Sequence, residues 1–427
     1  MPAFNIETCA RPNILALEPY RCARDDYKDD GTNILLDANE NAYGPAINHT
    51  DVTQDTTTTS SAPGPSLDFL TLHRYPDPHQ HDLKQLLCNL RNTHAHTPKT
   101  LTPEHLFVGV GSDEAIDALL RCFCIPGRDR ILTCPPTYGM YSVSAQVNDV
   151  GLVKVPLLPA PEFQLDVDAI SQTLSSEEGK TIKLVYLCSP GNPTGSLLSK
   201  SSVEKILAHP TWNGVVVLDE AYIDFAPEDA SLAELVTEYP NLVVLQTLSK
   251  AFGLAGIRLG AAFASPEVAR LLNALKAPYN VSSPTVAIAS YALDPKRGLN
   301  MMRENVSKLM TQRDRLLEEL PKIPGVGRLR GGKESNFLLY EMLDTQGRPD
   351  NVTALAVYER LAEEKGVVVR FRGKEHGCEG CLRVTVGTEE EVGRFLEALR
   401  RTLEEVRGVK AGKDEERREE AASGVVA

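Results

Sequence analysis

No stretch of this 427-residue chain approaches the roughly 18 consecutive apolar residues of a membrane span, although hydrophobic residues make up 42% of it. The N-terminus lacks a basic region followed by an apolar stretch, so a cytoplasmic location is the default expectation. Positive charge is not in excess either. Lys and Arg number 45 against 58 Asp and Glu, a net charge of −13, which speaks against nucleic acid as a partner but leaves room for local basic pockets. A disulfide framework is missing: nine cysteines at irregular spacing, an odd number in a long chain, read as reduced thiols. His376-Gly377-Cys378-Glu379-Gly380-Cys381 looks like half a zinc site, yet no second cysteine pair at zinc spacing accompanies it, so no metal is expected.

The chain does have a series of short apolar runs that open into polar residues. Residues 242–245 lead into Thr247-Leu248-Ser249-Lys250, followed by Ala255-Gly256-Ile257-Arg258-Leu259-Gly260. A lysine leaving a strand end, fenced by hydroxyls and small residues, is a candidate Schiff-base lysine, and pyridoxal phosphate is the commonest carbonyl partner. Alone, the segment fits a solvated surface lysine equally well. A second run, residues 214–218, is apolar throughout, as a strand buried on both faces requires, and ends in Asp219-Glu220-Ala221-Tyr222. An acid at the carboxyl end of such a strand sits where open α/β sheets place ligands. Buried without a cation it would take up a proton, so Asp219 implies a positive charge nearby, and a pyridinium nitrogen meets that need. The competing roles are a helix cap or a surface ion pair. A third run, residues 182–188, opens into Ser189-Pro190-Gly191-Asn192-Pro193-Thr194-Gly195, a loop whose prolines restrain the backbone around Asn192. An amide there can donate to a phenolate oxygen.

Strand-like and helix-like segments alternate through the middle of the chain: 106–110, a helix over 115–123, 130–134, and the three runs above. Such alternation predicts an α/β fold with a mostly parallel, doubly wound sheet. We read residues 69–322 as a large cofactor-binding domain and 323–407 as a smaller α/β domain. The smaller one has segments at 336–340, 352–365, 367–371, 382–386 and 389–406. Residues 1–45 form an arm that joins the small domain or reaches a neighbouring subunit. Residues 46–68, rich in Thr, Ser and Pro, read as a flexible insertion, and 408–427 as a charged, frayed tail.

In this order these segments resemble the fold-type I, aspartate aminotransferase-like family of pyridoxal-phosphate enzymes. The resemblance runs from about residue 11 to about residue 407 and is strongest to the histidinol-phosphate aminotransferase branch of fungal type. It rests further on Arg11-Pro12-Asn13-Ile14, Leu36-Asp37-Ala38-Asn39-Glu40-Asn41, Tyr43-Gly44-Pro45, Arg74-Tyr75-Pro76-Asp77-Pro78, Pro136-Thr137-Tyr138-Gly139-Met140-Tyr141 and Cys381-Leu382-Arg383-Val384-Thr385-Val386-Gly387-Thr388.

Charge places the cofactor phosphate at Gly111-Ser112-Asp113, between a strand and a helix, with Ser112 and Asp113 contacting it through backbone N–H groups. The Thr247 and Ser249 hydroxyls and a bidentate Arg258 would complete the cup. The resemblance implies that Tyr75 reaches the phosphate from the other subunit of a homodimer and that Tyr138 stacks on the pyridine ring. It also implies that Asn192 and Tyr222 bond the phenolic oxygen, and that Lys250 both holds the cofactor and moves the Cα proton in a ping-pong reaction. Arg383 corresponds to the family's anion clamp, Arg370 and Tyr43 to contacts with a substrate phosphate, and Asn336 lies along the substrate path. Glu375 is the rival partner for Arg370. The implied substrates are L-glutamate with imidazole-acetol phosphate, giving L-histidinol phosphate and 2-oxoglutarate. An aromatic aminotransferase, a threonine-phosphate decarboxylase-like enzyme and a regulator that keeps the cofactor fold are the alternatives. The regulator needs a basic N-terminal helix-turn-helix, whereas the family's motifs begin here by Arg11.

Overall fold

The computed structural model describes residues 33–37, 39, 41–43, 72 and 75–423. The 46–68 insertion and the motif at residues 11–14 lie outside the described residues. The chain runs β1 (Ile34–Leu35), α1 (His81–Arg91), β2 (Leu106–Val110), α2 (Gly111–Phe123), β3 (Arg130–Thr133), α3 (Met140–Val147), β4 (Gly151–Lys154), α4 (Val167–Ser175), β5 (Ile182–Cys188), α5 (Lys200–Leu207), β6 (Val215–Asp219), β7 (Leu242–Thr247) and β8 (Leu259–Phe263). Three helices follow, α6 (Pro266–Leu275), α7 (Ser283–Leu293) and α8 (Gly298–Glu319). The chain ends with β9 (Val326–Leu329), β10 (Phe337–Met342), α9 (Asn351–Lys365), β11 (Val367–Val368), β12 (Arg370–Phe371), β13 (Cys381–Thr385) and α10 (Glu389–Ser423).

Seven strands form one sheet in the order β2-β8-β7-β6-β5-β3-β4. Pairing is parallel from β7 through β4, and β8 is antiparallel to both its neighbours. The apolar runs have a direct cause. Alternate residues of one strand face opposite sides of the sheet: Val216, Leu218 and Val244 enter one core, while Val215, Val217, Val243 and Leu245 enter another. With helices on both sides every position is shielded, so β6 and β8 are buried along their whole length. Each fully buried Val or Leu contributes about 1.5–3 kcal/mol relative to an exposed one.

A second, four-stranded antiparallel sheet has the order β12-β13-β10-β9. Beside it β1 pairs in parallel with β11, so the described part of the arm lies against this smaller layer. Leu36 fastens it further, donating to the Val368 carbonyl at 2.8 Å and accepting from Thr385 N at 3.2 Å.

Three local readings differ. The α2 helix begins at Gly111 rather than 115, because Gly111 takes φ +73° and turns the chain straight out of β2. The segment 367–371 is two strands in two sheets, with wholly buried Val369 at the crossing. The last helix continues through Gly408 to Ser423, where the sequence predicts an end near 406. No helix among the described residues is long and apolar enough to cross a membrane.

Candidate active site

The ends of β5, β6 and β7 lie side by side, because Cys188 pairs with Asp219 and Asp219 with Leu245. The three polar segments singled out in the sequence therefore meet at one edge of the sheet. They line a cavity of about 270 Å³ with Ser112, Asp113, Tyr138, Asn192, Asp219, Tyr222, Thr247, Ser249, Lys250 and Arg258 on its walls. Cys188, Ala221 and Ala255 also line it. Short apolar or small side chains there leave room for a planar ring.

One end of the cavity suits an anion. The first turn of α2 points its N–H groups at it, and Arg258 sits across from that turn. Gly111 permits the approach: a Cβ there would lie 2.6 Å from Arg258 Nη2. Gly260 does the same from below, where a Cβ would lie 2.2 Å from Ser112 N. Arg258 Nη2 meets Asp113 Oδ2 at 3.5 Å, with both side chains nearly half exposed (47% and 42%). A pair so open is worth little, so the guanidinium can turn to a stronger anion. The Thr247 and Ser249 hydroxyls bond each other at 2.9 Å beside it.

Asp219 forms the floor. It is 2% exposed, and burial pushes its carboxyl up to about 6. The Tyr141 hydroxyl donates to Oδ2 at 2.6 Å and Ala221 N donates to Oδ1 at 3.1 Å, yet no ion pair engages Asp219 among the described residues. A carboxylate so placed demands a cation. Tyr141 belongs to a family motif, but nothing local in the sequence gives it a role at this site. It is stacked on Tyr186 with centroids 4.8 Å apart and stands edge-on to Tyr138 at 5.5 Å. Tyr138 donates to Asp113 Oδ1 at 3.3 Å, which holds its ring at the cavity wall.

Opposite the anion end, the Tyr222 hydroxyl accepts from Asn39 Nδ2 at 2.9 Å and Asn192 Nδ2 at 3.4 Å. Burial pushes this phenol up to about 12, against the pull of Arg383. Lys250 Nζ lies over the same ring, 5.8 Å from its centroid. Arg383 donates to Asn192 Oδ1 at 2.7 Å and to the Asp37 carbonyl at 2.5 Å. Burial, with neighbouring Arg372, pulls it down to about 9, and its Nε has no hydrogen-bond partner among the described residues. That is an under-compensated buried cation. Arg370 is its partner across the β12–β13 ladder, so two guanidinium groups share one face. The ion pair to Glu375 belongs to Arg372, at 2.8 Å.

Five expected residues lie outside the cavity wall. Arg383, Arg370 and Asn336 stand behind it on the small sheet and its approach, Asn336 donating to the Asn39 carbonyl at 2.9 Å. Tyr43 is half-buried, with Lys308 Nζ 5.5 Å from its ring centroid. Tyr75 is 81% exposed and stacked on Tyr279 with centroids 4.6 Å apart. Cys378 and Cys381 are buried free thiols that donate to the His376 and Glu379 carbonyls at 3.5 Å. Burial pushes Cys378 up to about 12.

A family model for class I and II aminotransferases matches residues 32–399, and the chain belongs to that class of enzymes. It is 50% identical over 404 residues to the histidinol-phosphate aminotransferase of Schizosaccharomyces pombe, covering 94% of this chain and 98% of that one. The Candida maltosa protein of the same name is 51% identical over 407 residues, covering 94% and 99%. Within the class, the chain belongs to the histidinol-phosphate aminotransferase family. Its fold is of type I. The Sinorhizobium meliloti histidinol-phosphate aminotransferase, solved in complex with pyridoxal-5'-phosphate, superposes with a TM-score of 0.74 at 24% identity, covering 92% of this chain and 97% of that one.

Proposed function

We propose that this chain uses pyridoxal 5'-phosphate to exchange an amino group between L-glutamate and imidazole-acetol phosphate, giving L-histidinol phosphate and 2-oxoglutarate in histidine biosynthesis. The observation that carries the cofactor reading is Asp219, a buried carboxylate without an ion pair among the described residues, across the cavity from an anion cup. A phosphate monoester with a basic ring nitrogen fits both ends. When bound, that cofactor supplies a carbonyl that captures amines and a ring that withdraws electrons from the carbon losing its proton.

The protein's own groups then divide the work. Lys250 Nζ anchors the cofactor, and once released it takes the substrate's Cα proton and delivers it on the same face. Asp219, held by Tyr141, keeps a proton on the ring nitrogen. Ser112 and Asp113 backbone N–H groups, Thr247, Ser249 and Arg258 hold the phosphate, and Tyr138 covers the ring. Asn192 and Tyr222 donate to the phenolic oxygen. Arg383 and Arg370 clamp the anionic end of either substrate, which explains how one site takes a dicarboxylate and a phosphate ester in turn. Tyr43 and Asn336 line the approach.

The reading extends to a homodimer in the cytoplasm. Tyr75, exposed and not on the wall of its own cavity, is available to a neighbouring subunit's phosphate cup, and free thiols such as Cys88, Cys134 and Cys188 suit a reducing compartment. The test is to incubate purified protein with L-histidinol phosphate and 2-oxoglutarate and follow glutamate. Formation of glutamate is expected. Its absence, with turnover of phenylalanine or release of carbon dioxide from threonine phosphate, would overturn the substrate assignment.

A further inference from the structure

Tyr222 has its oxygen fixed but not its proton. Its ring is set by Phe337, edge-on at 5.1 Å, which leaves only the O–H direction free. The two amides beside it have determined orientations. Arg383 can only donate, so the Asn192 atom 2.7 Å from its Nη1 is Oδ1, and Nδ2 faces Tyr222. Asn39 N donates to Thr385 Oγ1 at 3.1 Å, so that hydroxyl's proton goes to Asn39 Oδ1 at 3.0 Å. Asn39 Nδ2 is thereby turned to Tyr222, at the shorter distance of 2.9 Å. With both lone pairs of the phenol occupied by amide donors, its one proton has nowhere to go but outward.

We infer that Asn39 is a positioning residue: its amide aims the Tyr222 proton into the cavity and makes the phenol a donor to the group that Lys250 holds. Asn39 suits this office. It is 2% exposed and sits at φ +56°, a left-handed conformation that Asn tolerates better than most residues. Its carbonyl accepts from Asn336 Nδ2 at 2.9 Å, and its segment is tied to the small sheet through Leu36. The arm thus carries the small sheet's position to a hydroxyl at the large sheet's edge.

The inference rests on the cofactor reading above, and one titration separates the two. Load wild type, Asn39→Asp, Asn39→Gly, Tyr222→Phe and the Asn39→Gly/Tyr222→Phe double variant with pyridoxal phosphate, and follow visible absorption against pH. A donor to the phenolic oxygen draws charge from it and lowers the pH at which the chromophore changes colour. Tyr222→Phe is expected to raise that pH by about one unit, the effect of one lost hydrogen bond. Asn39→Asp, whose carboxylate accepts the phenol's proton, should raise it comparably. Asn39→Gly keeps the backbone conformation and should raise it less, with no further rise when Tyr222 is already Phe. Asn39→Asp titrating with wild type, or a Gly effect that persists without the phenol, would overturn the inference while leaving the cofactor reading intact. If wild type binds no reducible chromophore, the cofactor reading fails and the inference with it.

Discussion

Asp219 and its neighbour Glu220 are buried carboxylates that point to different partners. Glu220 is pushed by burial up to about 7 while accepting from Ser231 at 2.6 Å and Leu232 N at 2.7 Å. Because both folded values lie above those of the unfolded chain, their stabilising contribution is complete below about pH 4 and is lost as pH rises through 6 to 7. For Asp219 the span is roughly 2–3 kcal/mol. Cofactor-free protein should therefore melt at lower temperature at pH 7.5 than at pH 5, and Asp219→Asn should flatten that slope. With the cofactor's cation in place, Asp219 no longer pays to ionise and the slope should shrink likewise. An Asp219→Asn variant as pH-sensitive as wild type would mean that Asp219 is not the strained group. At this scale the sequence made legible those residues whose chemistry is local to a motif. It did not reveal what Tyr141 and Asn39 do, because their partners lie 78 and 183 positions away and no spacing rule connects them.

At the scale of elements, strands buried on both faces were the most legible parts, since an apolar run without interruption has few other homes; 182–188 matches β5 residue for residue. The antiparallel β8 is not legible in the sequence, because Leu259–Phe263, with Gly260 and two alanines, is too small-chained to stand out as a strand. Those small residues serve the neighbouring helix start. Gly260→Ala would drive a Cβ to 2.2 Å from Ser112 N and 2.4 Å from Gly111 C. The backbone must shift, at a cost of about 1–3 kcal/mol, and phosphate binding should weaken with it. Gly256→Ala, with nothing within 4 Å, is the matched control and should leave both melting temperature and cofactor titration unchanged.

For the whole molecule, the cavity at the strand ends of the seven-stranded sheet follows from strand order, whereas partnership between subunits does not. A single chain shows Tyr75 only as an exposed ring stacked on Tyr279. If it completes a neighbour's site, mixing impaired Tyr75→Ala and Lys250→Ala subunits under exchange should restore activity to about a quarter of wild type, since random pairing gives half hybrids with one intact site each. No recovery would confine the site to one chain. The alternating use of one cavity by two substrates is the central claim, and the most direct measurement is a half-reaction. Protein loaded with pyridoxal phosphate is mixed with L-histidinol phosphate alone, and its visible absorption is followed through one turnover. Stoichiometric loss of the chromophore is expected without any second substrate, with its return on adding 2-oxoglutarate and neither event in Lys250→Ala. A chromophore unchanged by L-histidinol phosphate alone would contradict it.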